Sequence, residues 1–191
     1  GNSSNIVISI LQKEKDLQYW YCRDYYDVIL ADSFKEPTCI KSWKLDFDIN
    51  DEEWEHIFAL PYKTCSDTKI QSFQYRILHR FLPCRHWLYI RKIVDSNICI
   101  HCTDNKDDSI IHFFYECKPV KEFWKHLYKW LDQTLDINVE IGKKEILFGI
   151  IPHRKTNLPS NFILLQAKWY INKQRLNGKC IQFFDFLCNF K

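Results

Sequence analysis

The chain has 191 residues, 46% of them hydrophobic and 16% aromatic, which is enough to bury a substantial core in one large domain or two small ones. Its 4 Gly and 6 Pro exclude a collagen-like or loop-rich chain, and its net charge of +3 says little by itself. No apolar run approaches the ~18 residues that a membrane-spanning helix needs. The sequence contains no Met, so we expect a fragment or a processed product of a longer parent protein.

The charge is unevenly distributed along the chain. Residues 1–60 carry 6 basic and 12 acidic side chains, a net charge of −6, whereas residues 61–191 carry 21 and 12, a net charge of +9. This asymmetry favours an anionic partner for the second part, and nucleic acid is the obvious one. The alternative is that the acidic segment docks on the basic one within the same fold.

The first predicted helices come from local start and stop signals. The aromatic-rich stretch 17–31 is predicted to be helical and to end before Glu36-Pro37-Thr38. The acidic residues of Asn50–Trp54 indicate the start of another helix, because they complement the helix dipole, and Pro61 is expected to end it.

A capping box at Thr68–Gln71 predicts a long helix that extends to about Leu82. Pro83 separates this helix from a short one that ends near Ile93. The long helix should bury an apolar stripe whose members are three and four residues apart: Ile70, Phe73, Ile77, Leu78 and Phe81.

The most specific motif of the chain is Cys99-x2-Cys102, nine residues, then His112-x4-Cys117. Two thiolates two residues apart, completed by a His and a third Cys, match a tetrahedral structural zinc site. The alternative is a chance spacing among nine cysteines, but the polar loop between Cys102 and His112 cannot pack a core and needs something to fix its ends. Four protein ligands leave no open coordination position, so the predicted Zn(II) is structural. His101 is a weaker candidate ligand, because its side chain should point away from a metal held by both neighbouring thiolates.

The metal motif also constrains the backbone. Asp108 or Ser109 can cap a short helix that carries His112. On an unbroken helix His112 and Cys117 would point about 140° apart. They can converge only if the helix ends before Cys117, and Pro119 favours such an end.

Three further helices complete the predicted fold. One follows Pro119 and buries Val120, Phe123, Trp124, Leu127 and Leu131, and a short one is predicted at Glu145–Phe148. The next is capped by Ser160 and runs to Leu176, where Asn177-Gly178 ends it, and the last spans residues 181–190. We predict a mainly α, multi-helix domain with one structural zinc knuckle of Cys-Cys-His-Cys type. The predicted division is an acidic, aromatic-rich helical extension at 1–50 and a helical zinc-binding domain at 51–191.

The remaining cysteines and the absence of a signal peptide bear on the compartment. An odd number of cysteines in a long chain without a signal peptide is atypical of a secreted disulfide scaffold, so we expect an intracellular protein with reduced thiols. Six cysteines lack paired spacing and are interpreted as small buried hydrophobes: Cys22, Cys39, Cys65, Cys84, Cys180 and Cys188.

Basic side chains are predicted to share one face on each of two helices, which suits contact with a phosphate backbone. The first set is Lys69, Arg76 and Arg80, continued by Arg85, Arg91 and Lys92. The second set is Lys118, Lys121, Lys125 and Lys129. The alternative for each is an ordinary solvated helix face. Trp87, Tyr89 and Tyr115 are candidates for stacking on unpaired bases, with burial in the core as their alternative.

Taken in order, these residues resemble the reverse-transcriptase zinc-binding domain, which lies C-terminal to the polymerase in non-LTR (LINE-type) retrotransposon proteins. The resemblance covers about residues 41–185, with a weaker match at Tyr25–Leu30. The matching residues are Asp51–Trp54, Ile57–Lys63, Asp67–Gln71, Phe73–Pro83, Cys99, Cys102, His112–Pro119, Phe123, Trp124 and Glu145–Gly149.

The resemblance implies a non-catalytic module that helps a reverse transcriptase to hold template RNA or target DNA during target-primed reverse transcription. It implies zinc ligation by the four motif residues, RNA or DNA and the rest of the parent chain as partners, and a location in the nucleus and cytoplasm. No membrane or small-molecule substrate is expected. Ala31-Asp32-Ser33 lacks the second acid of a polymerase signature, so no catalysis is carried over. The alternative is a zinc-stabilised structural or protein-interaction domain without nucleic-acid affinity.

Overall fold

A computed structural model of the chain describes residues 37–135, 141–150 and 157–190. Over these residues the protein is mainly helical and contains no strand, only one isolated antiparallel bridge between Ile98 and Asp107, which confirms the predicted fold class. The helix predicted at 17–31 lies outside them. The described residues from Ser42 onward belong to one compact unit, and the predicted boundary near residue 50 stays a prediction.

The described helices follow one another along the chain, and residues 91–111 form the longest connection within the described stretches. They are α1 (Thr38–Trp43), α2 (Asp51–Thr64), α3 (Thr68–Leu78), α4 (Arg85–Ile90), a π-helical turn (His112–Glu116), α5 (Lys118–Leu135), α6 (Lys143–Phe148), α7 (Leu158–Leu176) and α8 (Phe183–Asn189). No helix in the described stretches is both long and apolar enough to cross a membrane.

Helix α2 begins as the sequence predicts but ends later. Asn50 and Glu53 form a reciprocal capping box, in which each side chain accepts a hydrogen bond from the other residue's backbone N–H. The prediction that Pro61 ends this helix was wrong, because Pro61 lies buried inside it. Its missing N–H costs one helical hydrogen bond, while its carbonyl still accepts from the N–H of Cys65.

Helix α3 starts at Thr68, but its cap is not the predicted box. The Asp67 side chain accepts from the backbone N–H of Lys69, and the Gln71 side chain instead donates to the carbonyl of Cys65. An Asp is as good a cap as a Thr, so the start of the helix is unchanged.

The predicted end of α3 at Leu82 was wrong, because the helix stops at Leu78. Arg80 has a φ of 55°, in the left-handed region, and Phe81 N–H bonds back to the carbonyl of Arg76. This hydrogen bond and the left-handed residue make a Schellman cap, which usually carries Gly rather than Arg at that position. Phe81 consequently leaves the predicted buried stripe and is 53% exposed, while the other four members of the stripe are buried.

Helix α4 ends at Ile90, earlier than predicted, with the same kind of cap. Lys92 has a φ of 57°, and the N–H of Ile93 bonds to the carbonyl of Leu88. Two basic residues thus occupy positions that favour glycine.

The core is centred on aromatic rings. Phe148 of α6 meets Trp43, Phe47 and Trp54 edge to face, with centroids 5.1 to 5.6 Å apart. The indole N–H of Trp43 donates to the carbonyl of Leu78 at 2.8 Å. The predicted buried face of α5 is confirmed, since all of its members are buried: Val120, Phe123, Trp124, Leu127 and Leu131.

The last two helices agree with the sequence in outline. Ser160 lies inside α7 rather than at its cap, because the helix already begins at Leu158. Gly178, with a φ of 62°, follows the end of α7 as predicted. Helix α8 is shorter than the predicted range 181–190.

A lysine side chain lies within the core. Lys168 of α7 is 2% exposed, and its ammonium donates to the Gln74 side chain at 2.6 Å and to the carbonyl of Leu147 at 3.1 Å. Gln74 donates to the same carbonyl at 2.8 Å. Both partners are uncharged, so burial lowers the pKa of Lys168 to about 7.

Candidate metal centre

The four predicted ligands lie together. Their ligand atoms are all within 4.8 Å of one another. Cys99 Sγ and Cys117 Sγ are 3.9 Å apart, and Cys102 Sγ lies 3.4 Å from His112 Nε2. A tetrahedron with zinc–sulfur bonds of about 2.3 Å and a zinc–nitrogen bond of about 2.0 Å has sulfur–sulfur edges of about 3.8 Å and sulfur–nitrogen edges of about 3.5 Å. The two measured edges therefore fit a zinc ion.

The first two ligands are presented by a closed loop. The Cys99 N–H donates to the carbonyl of Lys106 at 2.9 Å, and the Asp108 N–H donates to the carbonyl of Asn97 at 2.9 Å. Within the loop, the His101 N–H points at Cys99 Sγ, 3.4 Å away. An N–H directed at sulfur stabilises a thiolate, so the backbone of this turn is suited to hold a metal ligand.

The other two ligands come from the π-helical turn. Ser109, one of the two predicted caps, precedes the helical residues Ile110 and Ile111 that lead into this turn, and its hydroxyl accepts from the His112 N–H at 3.2 Å. The Cys117 N–H bonds to the carbonyl of His112, five residues back, and Cys117 itself has an extended backbone. The predicted break before Cys117 is therefore confirmed. The wider π turn and the extended residue together bring two side chains to one side that an α-helix would separate.

Burial disfavours the charged forms of Cys99, His112 and Cys117 when no metal is bound. It raises the pKa of the Cys99 thiol, raises that of Cys117 to about 12, and lowers the pKa of His112. Neutral thiols are therefore favoured without a cation, whereas a bound dication would deprotonate them. Three thiols and one imidazole suit zinc better than the hard cations, which prefer oxygen ligands.

A buried ion pair supports the site from α7. The Arg175 guanidinium donates to Asp108 Oδ1 at 2.6 Å and approaches Cys99 Sγ at 3.5 Å, and it lies 3.9 Å over the ring of Phe113. The other Asp108 oxygen accepts from the backbone N–H of Arg85, at the start of α4. Asp108 thus ties the ligand loop to two helices. Sequence reasoning missed Arg175 because 76 residues separate it from Cys99.

His101 and, among the described residues, the cysteines without paired spacing lie outside the ligand cluster. His101 is half-buried and does not belong to the ligand group. Among the six cysteines that lack paired spacing in the sequence, Cys39, Cys65 and Cys84 are buried as predicted, whereas Cys22 lies outside the described residues. The same prediction was wrong for Cys180, which follows the end of α7, and for Cys188, which lies on α8, because both are exposed.

The second basic set lies where the sequence predicts. All four lysines of α5 are exposed: Lys118, Lys121, Lys125 and Lys129. Lys125 pairs with Glu122 at 2.8 Å, in a solvent-exposed contact of little energetic weight. The row begins directly after the ligand Cys117.

The first basic set does not share one helix face. Lys69 and Arg76 are exposed on α3, but Arg80 follows the end of the helix. Its guanidinium pairs with Asp46, donates to the carbonyl of Ser42 at 3.2 Å, and lies 3.8 Å over the ring of Trp43. The prediction that Arg80 continues the row of α3 was therefore wrong, because the left-handed turn redirects it.

The other three members of this set lie at the two ends of α4. Arg85 is half-buried, and Arg91 and Lys92 are exposed. The Arg91 guanidinium stacks on Trp87, 3.6 Å above the ring. Trp87 is half-buried and Tyr89 is exposed.

The family comparison points to the same region. A family model described as zinc-binding in reverse transcriptase matches residues 38–124. The matched segment contains all four ligands and the start of the lysine row, so over these residues the chain is similar to an accessory zinc-binding domain associated with reverse transcriptases. No curated protein matches the chain.

Proposed function

We propose that this chain is a non-catalytic, nucleic-acid-binding accessory domain of a LINE-type retrotransposon reverse transcriptase. In this role it assists the binding of template RNA or target DNA during target-primed reverse transcription, beside the rest of the parent polymerase. The similarity of residues 38–124 to a zinc-binding domain of reverse transcriptases supports the proposal. An intracellular location, in the nucleus and cytoplasm, belongs to it.

The metal in this proposal is one structural Zn(II), held by Cys99, Cys102, His112 and Cys117. The distances within the cluster support zinc, and four protein ligands leave no position for an activated water. When bound, the ion fixes the loop and the π-helical turn. Asp108 and Arg175 then transmit that order to α4 and α7.

The observation that carries the proposal is the lysine row of α5. Its four lysines are exposed on one helix and span residues 118–129, about 17 Å along the axis. A row of cations of this length can contact several successive phosphates of a nucleic acid, and such contacts do not depend on the base sequence. It starts at the residue after Cys117, so the zinc site fixes where the helix begins.

The salt dependence of binding tests this role. With about four phosphates neutralised on a single strand, the slope of log affinity against log salt should be near −3. Replacing Lys121 and Lys129 by Gln should make the slope shallower by about 1.5 and weaken binding to all sequences alike. The matched control replaces the exposed Lys63 and Lys179 by Gln and should leave the slope unchanged.

The outcomes separate the two functions considered for this chain. If the zinc-loaded wild type binds neither RNA nor DNA at low salt, the proposal fails and a zinc-stabilised protein-interaction domain takes its place. If both double variants change the slope equally, binding is general charge attraction and the lysine row has no special role. Template-dependent nucleotide incorporation by the purified chain would contradict the non-catalytic assignment.

A further inference from the structure

A cleft of about 470 Å³ lies beside the first basic set. It is bounded by the turn after α3, by α4 and by the segment that leads into the π-helical turn. The rings of Trp43, Phe81 and Trp87 line it, together with Ile90 and Arg91. Its size lies in the range of clefts that hold small ligands.

Large apolar side chains at the cleft are exposed to solvent and not buried in the core. Phe81 is 53% exposed and Ile90 is 61% exposed. Phe81 reaches this position because Arg80 adopts a left-handed backbone, which costs an L-residue on the order of 1 kcal/mol. The contacts of Arg80 with Asp46 and Trp43 stabilise that turn. Apolar exposure that is maintained in this way marks a binding surface.

The charges around the cleft are unbalanced. Asp46 is paired with Arg80, and Asp107 is paired with His86. Over residues 37–135, 141–150 and 157–190, no carboxylate pairs with the side chains of Arg85, Arg91 or Lys92. Arg85 begins α4, Arg91 and Lys92 follow its last residue, and the Arg91 guanidinium lies over the ring of Trp87. Both of these acids thus already have a partner in the protein, while Arg85, Arg91 and Lys92 have no carboxylate partner among the described residues and are available to an anion.

We propose that this cleft binds an unpaired base of single-stranded nucleic acid, with Phe81 as the stacking platform and Arg91 and Lys92 meeting the flanking phosphates. The inference rests on the proposed function and deepens it by assigning a strand type. A nucleotide joins a flat π-face to an anion, and the cleft offers rings and cations side by side. An apolar protein segment would cover Phe81 and Ile90 but leave the cations without partners.

Stacking predicts a preference for unpaired strands and little preference among bases. In a duplex the faces of the bases are covered by their neighbours, so only the phosphates remain for contact. Replacing Phe81 by Ala should therefore weaken single-strand binding, by about 5- to 150-fold, and leave duplex binding unchanged.

The test is a fluorescence-anisotropy titration of the zinc-loaded full chain with a labelled oligouridine and with a labelled DNA duplex of equal length. Wild type, Phe81→Ala and Phe184→Ala are compared. Phe184 is 75% exposed on α8, outside the cleft, and serves as the matched control. If Phe81→Ala fails to fold, Phe81→Leu keeps an apolar side chain and removes only the ring, so it carries the same expectation.

Each outcome of this titration supports or overturns the proposal that the cleft binds an unpaired base. Selective loss of oligouridine affinity in the Phe81 variant supports the cleft. If the wild type binds nucleic acid but the Phe81 and Phe184 variants bind as well as it does, the cleft is overturned while the proposed function stands. If the wild type binds neither probe at low salt, the proposed function fails, the cleft inference falls with it, and a protein segment becomes its candidate occupant.

Discussion

The buried pair of Arg175 and Asp108 gives the sharpest prediction about stability. Their side chains are only 1% and 3% exposed. Replacing Arg175 by Met keeps much of the apolar stem but leaves the Asp108 carboxylate buried without its countercharge. Removing one partner of a buried pair costs about 3–5 kcal/mol, far more than the pair contributes relative to an apolar substitute. The free energy of unfolding of the zinc-loaded protein should fall by that amount.

The same substitution should also weaken zinc retention. Arg175 lies 3.5 Å from Cys99 Sγ, so its loss removes a cation that stabilises this thiolate. Loss of a group that supports a ligand typically costs 10- to 100-fold in metal affinity. Competition with a chromophoric chelator measures this effect separately from denaturation.

A double-mutant cycle isolates the pair. Arg175→Met combined with Asp108→Asn should be less destabilised than the sum of the two single variants, by about 2 kcal/mol, because the unpaired charge is gone. Lys173→Met, on the same helix but exposed, is the matched control and should change stability by less than about 0.5 kcal/mol. Urea denaturation in excess zinc provides the free energies. A cost below about 1 kcal/mol for Arg175→Met would refute the reasoning.

Three other predictions concern the residues with positive φ that follow α4 and α7, the buried Lys168 and the zinc-binding loop. Lys92→Gly should raise the free energy of unfolding by about 1 kcal/mol in urea denaturation, since φ is 57° there, and Gly178→Ala should lower it similarly. Burial holds the pKa of Lys168 near 7, below its ordinary value of 10.5, so the unfolded chain binds more protons between these pH values. Stability should therefore rise with pH across this window, and Lys168→Met should flatten the profile; a wild-type stability that falls as pH rises would contradict this. Chelation should increase amide hydrogen exchange in residues 97–117 while α3 stays protected, whereas uniform exchange would show that zinc holds the whole fold.

Local chemistry was sufficient to predict several parts of the structure. The ligand spacing of residues 99–117 predicted a cluster whose four ligand atoms lie within 4.8 Å of one another. The cap was predicted to be Asp108 or Ser109, and Ser109 provides it; Pro119 indicated the helix break that lets His112 and Cys117 converge. These features depend on neighbours within a few residues, which is the range over which sequence patterns carry information.

Other features depend on contacts that the sequence does not display. Arg80 adopts a left-handed backbone that is typical of Gly, so nothing in the pattern indicated that α3 would end early and expose Phe81. Pro61 lies inside α2, where tertiary packing outweighs its low helix propensity. Arg175 reaches the metal centre from a distant helix, and only the fold brings it there.

The claim that one zinc ion is held by the four ligands can be tested directly. Metal analysis and zinc-edge X-ray absorption of protein purified without chelator should give one zinc per chain. The ion should have three sulfur neighbours at about 2.3 Å and one nitrogen neighbour at about 2.0 Å. The variant Cys102→Ser with Cys117→Ser should lose the metal. Absence of zinc from the wild type, or full zinc retention by the double variant, would contradict the account.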